Sequence, residues 1–162
     1  MHYSIILQFI GLLALANGTP IAAKRILGDR FAQPLDGNCK FIDGRPVFGA
    51  SKTVRGILLS VLMTSVCSPL VGLSTATGFV VAVSAMGGDL LSSFLKRRFG
   101  LAPSSQAIGL DQVPESLFPL LVCRQEFGLT AADIVAGVVV FFIGELILSR
   151  ALFRMHFRDR PY

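Results

Sequence analysis

Apolar residues in this chain come in blocks rather than evenly. The blocks cover residues 4–16, 56–69, 71–95, 113–123 and 131–153, with polar stretches between them. A helix that crosses a bilayer needs ~20 mostly apolar residues. The third and fifth blocks meet that length. The second reaches it when extended back to Lys52 or Thr53. The first and fourth are short. They would cross with little tilt, by thinning the bilayer, or by drawing in interfacial polar residues. The pattern predicts an all-α, polytopic membrane protein with about five transmembrane helices. It reads as one integral membrane domain, 1–162, with long polar loops at about 17–53 and 96–112.

Composition agrees. Hydrophobic residues make up 52% of the chain and charged residues 15%, against about 25% charged in a typical soluble domain. A bilayer is the natural solvent for such a chain. The first block could also be read as a signal peptide, because Ala14-Leu15-Ala16 offers a small-x-small cleavage pattern. A signal peptide normally needs a positive n-region, and no Lys or Arg precedes the block. Orientation follows from the basic residues. Five crossings put 17–55, 96–112 and the C-terminal tail on one side, with fourteen of the fifteen Lys and Arg. Only Arg124 falls on the other. The positive-inside rule then places the N-terminus out and the C-terminus in, in a multi-pass protein of the inner (cytoplasmic) cell membrane. The net charge of +5 reflects juxtamembrane cations facing anionic lipid, not a nucleic-acid partner. Cys39, Cys67 and Cys123 show no zinc-type spacing.

The loop 17–53 is long and not of low complexity. Thr19-Pro20 followed by Ile21-Ala22-Ala23-Lys24-Arg25 reads as a short helix with Pro at its first position, which Gly28 could end. Asp36-Gly37 and Asp43-Gly44 read as tight turns. The loop 96–112 opens on Lys96-Arg97-Arg98 and closes on Leu110-Asp111-Gln112. No internal repeat is visible.

Asp89 follows a continuous apolar run and Gly87-Gly88, about two turns before the basic cluster. A carboxylate at that depth faces a polar interior or a partner. One reading is an ion pair with an arginine. The other is a divalent-metal ligand, with Asp111 as the second. Magnesium is usually held by one or two carboxylates with substrate phosphates and water. Lys52-Thr53, preceded by Gly49-Ala50-Ser51, opens the second span with an ammonium, a hydroxyl and free N–H groups suited to a phosphate. Lys96, Arg97 and Arg98 could add to it, or serve as inner-face anchors. His2 and His156 are terminal, so no hydrolytic triad can be assembled. No Walker-type glycine spacing occurs in 17–53.

Six motifs in order, Asn17-Gly18-Thr19-Pro20, Pro34-Leu35-Asp36-Gly37, Asp43-Gly44-Arg45-Pro46-Val47-Phe48-Gly49, Lys52-Thr53-x-Arg55-Gly56, Gly88-Asp89-Leu90-Leu91-Ser92-Ser93-Phe94-x-Lys96-Arg97-Arg98 and Leu110-Asp111-Gln112, closely resemble CDP-archaeol synthase and its bacterial relatives. A more distant likeness to CDP-diacylglycerol synthase rests on the Lys-Thr-x-x-Gly pattern at 52–56. The resemblance implies a magnesium-dependent cytidylyltransferase that joins CTP to a membrane lipid phosphate, giving a CDP-lipid and pyrophosphate. Carried over residue by residue, it makes Asp89 and Asp111 the metal or catalytic carboxylates. Lys52, Thr53, Lys96, Arg97 and Arg98 would hold phosphates. Asn17 and Pro20 would line the nucleotide site, with Asp36, Asp43 and Arg45 supporting it from the loop. The sequence departs from the family after Leu110-Asp111-Gln112, where further acids are usual; here Val113-Pro114-Glu115 follows, and Glu115 could substitute. The rival expectations are a small transporter, for which Asp133 and Glu145 would be mid-membrane acids, and a non-catalytic assembly protein. Gly72, Gly78, Gly137 and Gly144 could allow close packing within the chain or across a homodimer.

Overall fold

The computed structural model describes residues 2–105 and 107–154; His156, Arg158 and Arg160 lie outside them. Five α-helices follow one another: α1 (Tyr3–Leu27), α2 (Val54–Cys67), α3 (Thr75–Arg98), α4 (Gln112–Val122) and α5 (Ala131–Arg154), with a 3-10 turn, Ser68–Val71, after α2. Among the described residues there is no strand, only two isolated bridges in the long loop. Among the described residues, four stretches are long and apolar enough to cross a membrane: Tyr3–Leu27, Val54–Val71, Thr75–Arg98 and Ala131–Ala151. The eleven residues of α4 rise only ~16 Å.

The first block does not end at residue 16. Helix α1 continues to Leu27, with Pro20 inside it, and Gly28 ends it at φ +55°. The long loop is therefore 28–53, not 17–53, and Asn17 and Pro20 belong to a helix. A proline in a helix interior removes the bond to the carbonyl four residues earlier, here Ala16. Ser60 on α2 replaces it, its Oγ donating to Ala16 O at 2.7 Å. Gly56 lets α2 approach the proline ring at that level: a Cβ there would lie 3.3 Å from Pro20 Cβ. Ser60→Ala should strand a buried carbonyl that neither water nor lipid can reach, at a cost of about 1–3 kcal/mol. Thermal unfolding in detergent checks this, with the exposed Ser51→Ala as the silent control.

The hydrophobic core gathers at the face opposite the long loop. Phe9, Leu12 and Leu13 of α1 meet Val81 and Ala85 of α3, Leu120 of α4, and Ile134 and Phe141 of α5. Phe127 sets its ring edge-on to Phe9 at 5.4 Å between centroids. At this end α1 and α5 start side by side. His2 N donates to Asp133 Oδ1 at 3.0 Å, and Thr130 Oγ1 donates to Asp133 Oδ2 at 2.7 Å. Asp133 is fully buried and serves this junction.

The long loop is folded onto the bundle. Leu35 N donates to Lys52 O at 2.7 Å and Val54 N to Gln33 O at 3.0 Å, which ties its start to the entry of α2. Residues 39–47 turn back through Asp43-Gly44, with Val47 N donating to Cys39 O at 3.1 Å. Asp36 caps the return, its Oδ2 accepting from Phe48 N and Gly49 N, each at 2.9 Å. Burial alone would raise the Asp36 carboxyl, but these bonds and one from Asn38 N hold it below its ordinary value.

Candidate active site

Helix α3 is 24 residues long, and Asp89 sits about 13 Å short of its C-terminal end at 1.5 Å per residue. The site is thus recessed below the loop face. Two sequence features place its partners there. Thr53 caps α2, its Oγ1 accepting from Gly56 N at 3.1 Å, which sets Lys52 just outside the helix and against α3. Gly88 lets the start of α4 lie directly on α3. A Cβ at Gly88 would overlap the Pro114 carbonyl and come within 2.7 Å of Glu115 N. Pro114 belongs to the first turn of α4, where a missing N–H costs nothing. Gly88→Ala should therefore push α4 away and destabilise the fold by about 1–3 kcal/mol. Gly87→Ala should not, because a Cβ there meets nothing within 4 Å. Paired melting curves of the two variants test it.

The result is a cluster of alternating charge. Lys52 Nζ is ion-paired with Asp89 Oδ2, each side chain about a fifth exposed (22% and 19%). Burial pulls the Lys52 ammonium down, but Asp89 beside it, with Glu115 and Asp111 farther off, outweighs this and raises it above its ordinary value. The Glu115 carboxyl hydrogen-bonds Asp89 and accepts from Asn17 Nδ2 at 2.8 Å. Two carboxyls in contact require a proton or a cation between them. Lys96 Nζ lies 2.6 Å from Asp111 Oδ1 and donates to Ser105 O at 3.1 Å. Asp111 Oδ2 accepts from Ala107 N at 2.9 Å, so this acid also knits the loop that leads into α4.

Arg97 is the least satisfied group. Its side chain is buried (3% exposed), and Nη2 donates to Ala102 O at 2.9 Å. Nε and Nη1 have no partner. Gly49, at φ +91°, brings backbone close to it: a Cβ at Gly49 would lie 3.3 Å from Arg97 Nη1. A buried guanidinium with two idle nitrogen donors is costly, and phosphate oxygens are acceptors suited to them.

The residues expected at the site thus separate into two sets. Asn17, Lys52, Asp89, Lys96, Arg97 and Asp111 gather around the recess. Pro20 and Thr53 shape its wall. Asp36, Asp43, Arg45 and Arg98 stand outside it and fasten the loop. Arg98 Nη1 donates to Asp43 Oδ1 at 2.7 Å, and the guanidinium lies 4.7 Å from the Phe41 ring centroid and 4.9 Å from that of Phe94. Arg45 Nη1 donates to the carbonyls of Arg97 and Arg98 at the end of α3. The acid set against Asp89 is Glu115, on α4, rather than Asp111. Its sequence signal was a carboxylate directly after the helix-starting Pro114 at a point where other acids were missing.

Among the described residues no group of three His, Cys, Asp or Glu side chains is arranged to hold a metal ion. The donors present still fit magnesium, which usually takes one or two carboxylates and completes its shell with substrate phosphates and water. A transport path through Asp133 has no support in the geometry, because that side chain is closed off by His2 and Thr130.

A family model described as CarS-like, CDP-archaeol synthase, matches residues 2–162. A CDP-archaeol synthase of Hyperthermus butylicus is 40% identical over 114 residues, which cover 67% of this chain and 64% of that protein. This match spans slightly less than two thirds of the Hyperthermus protein. A CDP-archaeol synthase of Pyrobaculum arsenaticum is 30% identical over 152 residues, 91% of each chain. A solved structure described as giving structural insight into an intramembrane enzyme for archaeal membrane lipids biosynthesis has a TM-score of 0.70 and 26% identity. The match covers 85% of this chain and 90% of that one.

Proposed function

The chain belongs to the CDP-archaeol synthase family, and we propose that it is a multi-pass membrane enzyme that transfers the cytidylyl group of CTP to a membrane lipid phosphate. Its loop face would lie on the cytoplasmic side of the inner membrane, with the N-terminus outside. The basic residues at that face favour this orientation.

The observation that carries the reading is the buried Arg97 guanidinium with two unpartnered nitrogens, Nε and Nη1, beside a lysine-carboxylate cluster recessed in the bundle. Such a pocket suits a polyphosphate that arrives from the aqueous face. Lys96 and Arg97 would hold the outer phosphates, and Lys52 the phosphate at the reacting centre. Asp89 and Glu115 are the carboxylates that would hold magnesium, whose charge offsets that of the phosphates when it is bound. Asn17 keeps Glu115 turned towards Asp89. An oxygen of the lipid phosphate attacks the α-phosphorus of CTP, the bond to the β-phosphate breaks, and pyrophosphate leaves. A phosphate monoester is already a nucleophile at neutral pH, so these residues need only position and neutralise.

The test is pyrophosphate release by purified protein in detergent with CTP and magnesium. Separate reactions would contain phosphatidic acid or an ether-linked isoprenoid glycerol phosphate. Release with one of them, lost without magnesium or with ATP in place of CTP, is the expected result. No release with either lipid and no binding of CTP would overturn the reading.

A further inference from the structure

Outside the polar recess, the described residues leave an open groove in the bundle. It lies between α1 and α5, has a volume of about 210 Å³, and is lined by Ile10, Ala14 and Gly18 on one side and by Phe141, Gly144 and Leu148 on the other. These residues recur three or four apart, so each set shares one helix face. Ala14 and Gly144 are exposed at the bundle surface, where a membrane protein meets hydrocarbon. A Cβ added at Gly18 or Gly144 meets nothing within 4 Å. By contrast, a Cβ at Gly78 would come within 2.9 Å of Thr64 O. The glycines of α1 and α5 therefore keep a space open, whereas Gly78 and Gly88 let helices touch.

The groove has a closed end and a chemical end. Towards the start of both helices it is shut by the His2–Asp133 junction and by the core around Phe9 and Phe141. Farther along, Asn17 and Glu145 line it, and Ile21, Leu148 and Ser149 continue it about one turn towards the loop face. Asn17 donates to Glu115, which hydrogen-bonds Asp89. One path thus leads from the bilayer to the carboxylates. A volume below the ~300–1,000 Å³ of ordinary small-molecule pockets suits a slender chain and not a nucleotide.

We propose that this groove takes one hydrocarbon chain of the lipid phosphate, laid between α1 and α5 with its phosphate end at Asn17. The inference rests on the cytidylyltransferase reading and adds to it a lateral entry from the bilayer. A leucine at Gly144 or at Gly18 would fill the space without meeting a neighbour at its Cβ, and helix propensity favours the change.

The experiment compares pyrophosphate release from CTP with two glycerol phosphates, one with long isoprenoid chains and one with hexyl chains, each in ether- and acyl-linked form. Gly144→Leu should lose about tenfold in kcat/KM for both lipids, because even a hexyl chain must pass it, with KM for CTP held. Gly18→Leu, from the opposite wall, should do the same and covers the case in which the first variant fails to fold. A loss that comes with a raised KM for CTP, or no loss with either lipid, overturns the groove assignment while the enzymatic reading stands. A wild-type protein silent with every lipid fails the enzymatic reading itself and takes this inference with it.

Discussion

Asp89→Asn is expected to reduce pyrophosphate release by about 10³-fold, the scale seen when a preorganised charge at a reacting centre is lost, while the protein still folds. The carboxylate is the hub of the recess. It pairs with Lys52 and hydrogen-bonds Glu115, and the α4 backbone beside it is held by Gly88. Asparagine keeps the size and one acceptor oxygen but removes the charge that a metal ion needs. The structural cost is limited for a stated reason. Lys52 still has Glu115 and Asp111 in electrostatic range, and its side chain keeps about a fifth of its surface in contact with solvent. The buried ammonium is therefore not abandoned, as it would be in an isolated pair. A melting temperature within a few degrees of wild type, alongside the lost rate, is the predicted pair of readings. Retention of most of the activity would remove Asp89 from the chemistry, and a fully unfolded variant would make it a structural ion pair.

Much of this architecture was legible in the sequence because hydrophobic blocks and basic loops obey simple rules. The long third and fifth blocks became α3 and α5 nearly as read, and Asp89 and Lys52, singled out for depth and for helix-start position, meet across α2 and α3. The limits of α1 were not legible. A proline after Asn17-Gly18-Thr19 reads as a helix start, and only the partner serine at residue 60 on another helix makes its interior position tolerable. Nor could the sequence sort its own cations. Lys96, Arg97 and Arg98 are consecutive, so they point in three directions from one helix. Lys96 reaches Asp111, Arg97 turns into the bundle, and Arg98 goes to the Asp43 turn between two phenylalanines. The pairing of Glu115 with Asp89 depends on how closely two backbones approach at Gly88, which no pattern along a single chain encodes.

Arg97→Met is expected to cut kcat/KM for CTP by about 10²-fold, mainly through KM, without loss of stability. The two halves of that expectation have one cause. The guanidinium is buried, and neither Nε nor Nη1 has a hydrogen-bond partner. That is an unfavourable state, since desolvation is not repaid by hydrogen bonds. Methionine fills a similar volume with no polar atoms, so what is lost is one bond to Ala102 O and the attraction of Asp111, and what is gained is relief from that cost. The melting temperature should hold or rise. With a polyphosphate bound the balance reverses, because Nε and Nη1 donate from different edges of the planar guanidinium and can each take a phosphate oxygen, an arrangement a single ammonium cannot reproduce. Arg97→Lys should therefore recover only a small part of the loss. A binding readout separates this from a mere packing role. A ligand that binds only the folded state raises the melting temperature in proportion to its occupancy, so pyrophosphate should raise that of the wild type and leave that of Arg97→Met unmoved. Equal stabilisation of both proteins by pyrophosphate would show that the idle donors face no phosphate, and the recess would then have to bind its nucleotide through Lys52 and Lys96 alone.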